Sequence, residues 1–210
     1  METEQIKQHL VEVSKLMYSK GMVNAFEGNV SYKEGQRIFI TPSGICKGFL
    51  TCDMLVVTDL EGNVVSGNNK PSSEIKLHLA AYRMRPDIKS LVHAHTPYAT
   101  AFALANKPIE TRAYPELIAL FGSIPIAEYG TPSTDEIYFG MEGLIQDHDI
   151  ILLANHGITA IGKDSYDAFF KLEAAESIAK TLFLTRLLGG EKELPANKLD
   201  ELYQMRRKSR

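Results

Sequence analysis

This sequence has little cysteine, no surplus of positive charge and no long apolar run. Its 210 residues carry 23 Lys and Arg against 26 Asp and Glu, a formal net charge of −3. A nucleic-acid partner would call for a basic stripe that displaces counterions, so none is expected. The one basic cluster, Arg206-Arg207-Lys208-Ser209-Arg210, sits at a chain end and reads as a solvated helix terminus. Two cysteines, Cys46 and Cys52, are too few for a disulfide scaffold and wrongly spaced for a zinc ribbon. The first residues, METEQIKQHLVEVSKL, are amphipathic and acid-bearing, unlike a signal or transit peptide. Together these point to a reducing compartment, the cytoplasm. The longest apolar stretch, Ile150 to Ala154, is far short of the roughly 20 residues that cross a bilayer, so no membrane partner is expected. Repeats, low-complexity tracts, flexible linkers, a Walker loop and a Rossmann fingerprint are also missing. With 44% hydrophobic and 23% charged residues, the chain reads as one globular domain over residues 1–210.

Two periodicities alternate along it. Ile6, Leu10, Val13 and Met17 recur at helical spacing, with Thr3 placed to cap and Gly21 to stop. Short β-like runs follow at Asn29–Lys33, Arg37–Thr41 and Leu55–Leu60, the last turned back on Val64–Ser66 by Glu61-Gly62-Asn63. Ser72 or Ser73 can cap a helix reaching Met84; Lys89–Ala94 and Ile124–Glu128 read as strands, and Pro97–Asn106 as a helix. A helix is expected over Thr134–Ile145, strands over Asp149–Ala154 and Gly157–Ile161, and a long helix from Asp164 to Leu188. Hairpins interleaved with helices imply an α/β or α+β layered fold with a mixed or antiparallel sheet.

The chemistry gathers in a few motifs. In Leu91-Val92-His93-Ala94-His95, residues two apart on a strand share a face, so His93 and His95 project together. His156 leaves a second apolar strand at the turn Asn155-His156-Gly157. Each motif alone suits an ordinary turn as well. Three histidines at strand ends, however, form a set that holds a divalent ion with one position open, as catalytic sites do. His9, His78 and His148 fit such a set less well and read as structural or exposed. Lys70-Pro71-Ser72-Ser73-Glu74 is a helix start whose hydroxyls and N–H groups suit an anion such as phosphate. Glu74, in its first turn, can reach a metal or serve as acid or base. The turns Glu27-Gly28-Asn29-Val30-Ser31 and Thr41-Pro42-Ser43-Gly44 offer further small donors.

Gly-Asn-Val-Ser at 28–31, Thr-Pro-Ser-Gly at 41–44, Lys-Pro-Ser-Ser-Glu at 70–74, His-Ala-His at 93–95 and Asn-His-Gly at 155–157 occur in one order. Taken together they resemble the class II aldolase/adducin family. The resemblance implies a three-layer α/β/α sandwich with a central mixed, mainly antiparallel sheet, assembled as a homotetramer with active sites between subunits. It implies one divalent ion per subunit, zinc before manganese or cobalt, held by His93, His95, His156 and Glu74. Gly28, Asn29, Ser43, Gly44, Ser72 and Ser73 would bind the phosphate of a ketose 1-phosphate. Glu74 would be the acid/base, and Tyr114 of a neighbouring subunit would protonate the aldehyde oxygen. The expected reaction is cleavage to dihydroxyacetone phosphate and an aldehyde through a metal-stabilised enediolate. Alternatives in the family are 4-epimerisation of L-ribulose 5-phosphate and dehydration of methylthioribulose 1-phosphate. Glu74 in place of Asp speaks against the epimerase. Glu116 lies near where the dehydratases carry a catalytic glutamate, but those enzymes lack the Glu74 equivalent. A non-catalytic adducin-like module is disfavoured, because the histidines and Glu74 are all present.

Overall fold

The computed structural model describes residues 2–209, the side chain of Ser209 excepted. Eight strands form one sheet: β1 (Asn29–Glu34), β2 (Arg37–Ile40), β3 (Val56–Thr58), β4 (Val64–Ser66), β5 (Ser90–Ala94), β6 (Ile126–Ala127), β7 (Ile150–Leu153) and β8 (Gly157–Gly162). Their order across the sheet is β4-β3-β2-β1-β5-β8-β7-β6. Every neighbouring pair is antiparallel except β6–β7, so the sheet is mixed but mainly antiparallel.

Helices cover both faces, which is why β7 (IILL) and β8 (GITAIG) read as nearly continuous apolar runs rather than alternating ones. Val30, Phe39, Val92 and Ala160 point to a core shared with α1 (Thr3–Ser19), α3 (Pro97–Leu104) and α5 (Ser165–Leu187). Ile38, Ile40, Leu91 and Ile161 point the other way, to a core shared with α2 (Ile75–Met84) and the 3₁₀ segment Asp135–Met141. Period-two alternation thus sorts one set of strands into two cores, giving the three-layer α/β/α sandwich.

Most element ends agree with the sequence within a residue or two. Gly21 adopts φ +66° where α1 stops, and Asp164 caps α5 by accepting from the Asp167 N–H at 2.8 Å. Four expectations need correction. The α1 cap is Glu2 rather than Thr3. The cap of α2 is Glu74, not a serine, because Ile75 N–H closes a turn onto the Ser72 carbonyl. Thr134–Ile145 is not an α-helix: Thr134 starts a 3₁₀ segment that ends at Met141. There the chain presses on the sheet edge, and a Cβ on Gly140 would sit 2.6 Å from the Glu128 nitrogen. The strand at Ile124–Glu128 shrinks to β6, since Pro125 lacks an N–H for a ladder and Ile124 pairs with Ile109 instead.

Two helices complete the chain, α4 (Pro115–Leu120) and α6 (Ala196–Ser209). At the end of α6, Arg207 and Lys208 are exposed as expected, whereas half-buried Arg206 lies over Gly122. Arg210 is outside the described residues.

Candidate active site

The site forms where β1, β5 and the turn before β8 end together. Antiparallel register sets Asn29 directly opposite His93, and His93 opposite Thr159. His93 therefore leaves the middle of the sheet fully buried, and His95 follows on the same side just past the strand. His156 arrives from the β7–β8 turn, where Asn155 adopts φ +55°. Gly157 makes the approach possible: a Cβ there would lie 2.6 Å from the Ala94 carbonyl and 2.7 Å from the His95 ring.

One nitrogen from each of His93, His95 and His156 lies within 4.8 Å of the others. The Nε2 atoms of His93 and His95 are 3.1 Å apart. Glu74, only 8% exposed, closes the cluster with Oε1 at 3.0 Å from His156 Nε2 and Oε2 at 3.4 Å from His93 Nε2. Converging nitrogens and an anion of this kind fit a divalent ion. Ligands about 2.1 Å from a tetrahedral centre stand about 3.4 Å from one another, close to the His93–His95, Glu74–His156 and Glu74–His93 contacts of 3.1, 3.0 and 3.4 Å. Outside the cluster, Glu27 Oε1 faces His95 Nδ1 at 3.4 Å, a carboxylate placed to orient that ring.

Burial drives the His93 pKa down to about 3, so its imidazole is neutral at pH 7 and available as a ligand. Burial pushes Glu74 the other way, but the positive charge that His93 and His156 carry when protonated, with hydrogen bonds from His156 and, at 2.7 Å, from Asn29 Nδ2, outweighs it. Glu74 is thus held as an anion, well below the usual carboxylate range.

The six small-turn residues meet this cluster in one cavity of about 310 Å³. Gly28, Asn29, Ser43, Gly44, Ser72 and Ser73 line it together with Glu74, His95 and His156. The turns at 41–44 and 70–74 are tied to each other: Ser43 N–H donates to the Lys70 carbonyl and Ser72 N–H to the Thr41 carbonyl, at 3.0 and 3.1 Å. Those bonds narrow the expectation of free N–H donors. Ser43 and Ser72 have only hydroxyls left to offer. The N–H groups of Gly44 and Ser73 carry no hydrogen bond among the described residues.

Sequence reasoning overlooked Lys47, whose side chain also lines the cavity while only 2% exposed. Its ammonium donates to the Ile45 carbonyl at 2.9 Å, and among the described residues it has no carboxylate within ion-pairing distance. Burial lowers its pKa. The signal was a lysine amid the apolar residues of Gly44–Leu50 with no acid nearby in sequence. Phe26, 86% exposed, and the Pro132-Ser133 turn complete the wall. Tyr114 and Glu116 do not line it; they sit at the start of α4, Glu116 exposed.

A larger cavity of about 620 Å³, near Arg112, Arg186 and Arg206, shares no lining residue with the site. Glu191 pairs with Arg186 and Glu193 with Arg112, so much of its positive charge is already answered.

Residues 8–183 match the family described as class II aldolase and adducin N-terminal domain. The chain belongs to that family. L-fuculose phosphate aldolase of Methanocaldococcus jannaschii is 38% identical over 184 residues, which cover 87% of this chain and 98% of that protein. The 5-deoxy-D-ribulose 1-phosphate aldolase of Bacillus thuringiensis is 34% identical over 200 residues, 93% of this chain and 92% of its own. A 3-oxo-tetronate 4-phosphate decarboxylase of Haemophilus influenzae is 32% identical over 183 residues, 84% and 86% of the two. In structure, an L-fuculose 1-phosphate aldolase superposes over 97% of each chain with a TM-score of 0.88 at 32% identity. With the donor set intact on this fold, the chain is a class II aldolase, an enzyme of the lyase class.

Proposed function

We propose that this class II aldolase, one domain over residues 1–210, cleaves a ketose 1-phosphate of the L-fuculose 1-phosphate kind to dihydroxyacetone phosphate and an aldehyde. The observation that carries the reading is the shared cavity: a histidine–carboxylate cluster at one end, and small-residue turns with a buried lysine at the other. His93, His95, His156 and, in the resting site, Glu74 would hold the divalent ion, zinc by preference. That ion would supply Lewis-acid stabilisation of the negative charge developing on the substrate's oxygens.

The chain's own residues do the rest. Gly44 and Ser73 N–H groups, the Ser43 and Ser72 hydroxyls, Asn29 beside Gly28 and the Lys47 ammonium would anchor the phosphate. Anchoring it fixes where the carbon chain crosses the cavity, so binding energy becomes orientation. In cleavage, the hydroxyl beside the breaking bond loses its proton and the bond's electron pair passes to the phosphate-bearing fragment. That fragment then takes a proton on carbon. Glu74 is the group in the cavity suited to carry it, and Tyr114 from a neighbouring subunit of a homotetramer would serve the aldehyde oxygen. Cytoplasmic location agrees with a phosphorylated substrate; among the described residues no helix is long and apolar enough to cross a membrane.

The decarboxylase of Haemophilus influenzae favours a second reading, loss of carbon dioxide from a 3-oxo sugar-acid phosphate. One experiment decides: the metal-loaded enzyme is offered ketose 1-phosphates, ketose 5-phosphates, methylthioribulose 1-phosphate and 3-oxo-tetronate 4-phosphate, and the products are identified. Dihydroxyacetone phosphate from a ketose 1-phosphate supports the aldolase. Its absence with turnover of another substrate overturns it.

A further inference from the structure

Between α2 and β1, inside an otherwise apolar core, runs a line of five buried polar side chains that ends at Glu74. Glu74, His78 and Tyr82 are four residues apart on the α2 side, and Asn29 and Ser31 two apart on β1. Four residues of helix rise about 6 Å and two of strand about 6.7 Å, so the two rows stay in step. They interdigitate. Asn29 Nδ2 donates to Glu74 Oε2 at 2.7 Å, and Asn29 Oδ1 is 2.5 Å from His78 Nε2. His78 Nδ1 is 2.6 Å from Ser31 Oγ, which lies 2.6 Å from Tyr82 Oη.

The direction of every bond follows from its end. A carboxylate only accepts, so the Asn29 amide must turn its N–H to Glu74 and its carbonyl to His78. His78 Nε2 must then carry the proton and donate. Fully buried, with its pKa pressed down to about 4, His78 is neutral, so Nδ1 accepts. Ser31 therefore donates to Nδ1, and Tyr82 donates to Ser31. Four donors point toward one anion, an arrangement in which each bond polarises the next.

We infer that His78 is a positioning residue for Glu74: by donating to Asn29 it locks the amide N–H onto the carboxylate and fixes the carboxylate's place in the cavity. The catalytic consequence rests on the acid/base role proposed for Glu74; the geometric one does not. Without the Nε2 donor, the Asn29 side-chain carbonyl loses the one hydrogen bond it accepts among the described residues, and the amide is free to rotate away.

The test compares His78→Met, which fills the space without a donor, with His78→Gln, whose amide N–H reaches toward Asn29. Crystal structures of both variants read the geometry. The Asn29–Glu74 bond should persist in the glutamine variant and be lost or flipped in the methionine one. With a ketose 1-phosphate, kcat per folded enzyme should fall about 10–100-fold in His78→Met and recover to within a few-fold in His78→Gln. Ser31→Ala should cost less and Tyr82→Phe least, since each acts one bond further away. Thermal melting normalises activity to folded protein. If His78→Met does not fold, His78→Gln and Ser31→Ala still rank the effect. An intact Asn29–Glu74 bond and undiminished kcat in His78→Met would overturn the inference. So would a glutamine variant no better than methionine. If the wild type turns over no ketose phosphate, the functional reading falls, while the structures still decide the relay.

Discussion

On one side of the cavity stand side chains that leave buried strands; on the other stand three small-residue turns and a buried lysine. The histidine side is rigid because sheet register fixes it: Asn29 faces His93 across β1–β5, and Gly157 lets the His156 turn close on both neighbouring rings. The turn side is held by two backbone bonds between residues 41–43 and 70–72, and much of it is open to solvent. The two constructions should fail differently. Removing one imidazole deletes a ligand, whereas removing one hydroxyl leaves several donors in place.

The sharpest break in that comparison is loss of a histidine. His93→Ala or His156→Ala should abolish stoichiometric metal in the purified protein and lower kcat/KM by at least about 10³-fold, since Lewis-acid stabilisation is worth several kcal/mol. The fold should survive, because the sheet buries two large cores elsewhere. Elemental analysis and circular dichroism check both halves of the statement; full metal content in His156→Ala removes that residue from the site.

Next in size is Glu74→Gln, which keeps the side chain's length and removes the base. We expect kcat to drop about 10²–10⁴-fold with metal still bound. Glu116→Gln should cost little, as Glu116 is exposed at α4 and outside the cavity. The reverse pattern would favour the dehydratase.

These two predictions concern residues that are legible in the sequence, and the reason is physical. A histidine two residues from another on a strand declares its face by period alone, and Gly-Asn-Val-Ser or Lys-Pro-Ser-Ser-Glu declares a turn. Hairpin signals interleaved with helices also declare a layered fold with a mixed or antiparallel sheet, whereas the three-layer order is implied only by the family resemblance. What is illegible depends on how elements pack. His78 looks like one more helix residue until β1 is laid against α2 in register. Lys47 looks solvated until the 3₁₀ turn at Lys47–Phe49 buries it. α6 hides because Leu199 is its one well-buried apolar residue, too little to imprint a period.

Lys47 tests the turn side. A hydrogen bond to a charged group contributes about 1.5–3 kcal/mol. Lys47→Met should therefore raise KM for a phosphorylated ketose about 10–100-fold, with kcat nearly constant and the inhibition constant of inorganic phosphate raised in parallel. Unchanged phosphate inhibition would mean that the ammonium only closes its own loop. Ser72→Ala should do less, about 2–10-fold in KM, because a neutral hydrogen bond contributes about 0.5–1.5 kcal/mol and neighbouring donors persist.

The smallest effect separates the two sides by the pH at which each weakens the fold. Burial holds His78 near 4 and His93 near 3, against 6.5 for an ordinary histidine. The unfolded chain therefore takes up protons below 6.5 that the fold refuses, and by linkage stability falls as pH drops from about 6.5 toward 4. Glu74 is depressed below 4.5, so its contribution is lost only as pH falls below that value. Lys47, lowered by burial from 10.5, acts at the other end: its burial cost is relieved as pH rises toward 10.5. In metal-free protein, where no ion holds the imidazoles neutral, each buried histidine should remove roughly 0.5–1 kcal/mol between about pH 7 and 6. His78→Gln removes one of the two titrations and should roughly halve that loss, measured by urea unfolding at each pH. Lys47→Met should leave this acid slope as it is. A slope unchanged by His78→Gln would show that His78 is not the neutral, buried group that the relay from Tyr82 to Glu74 requires.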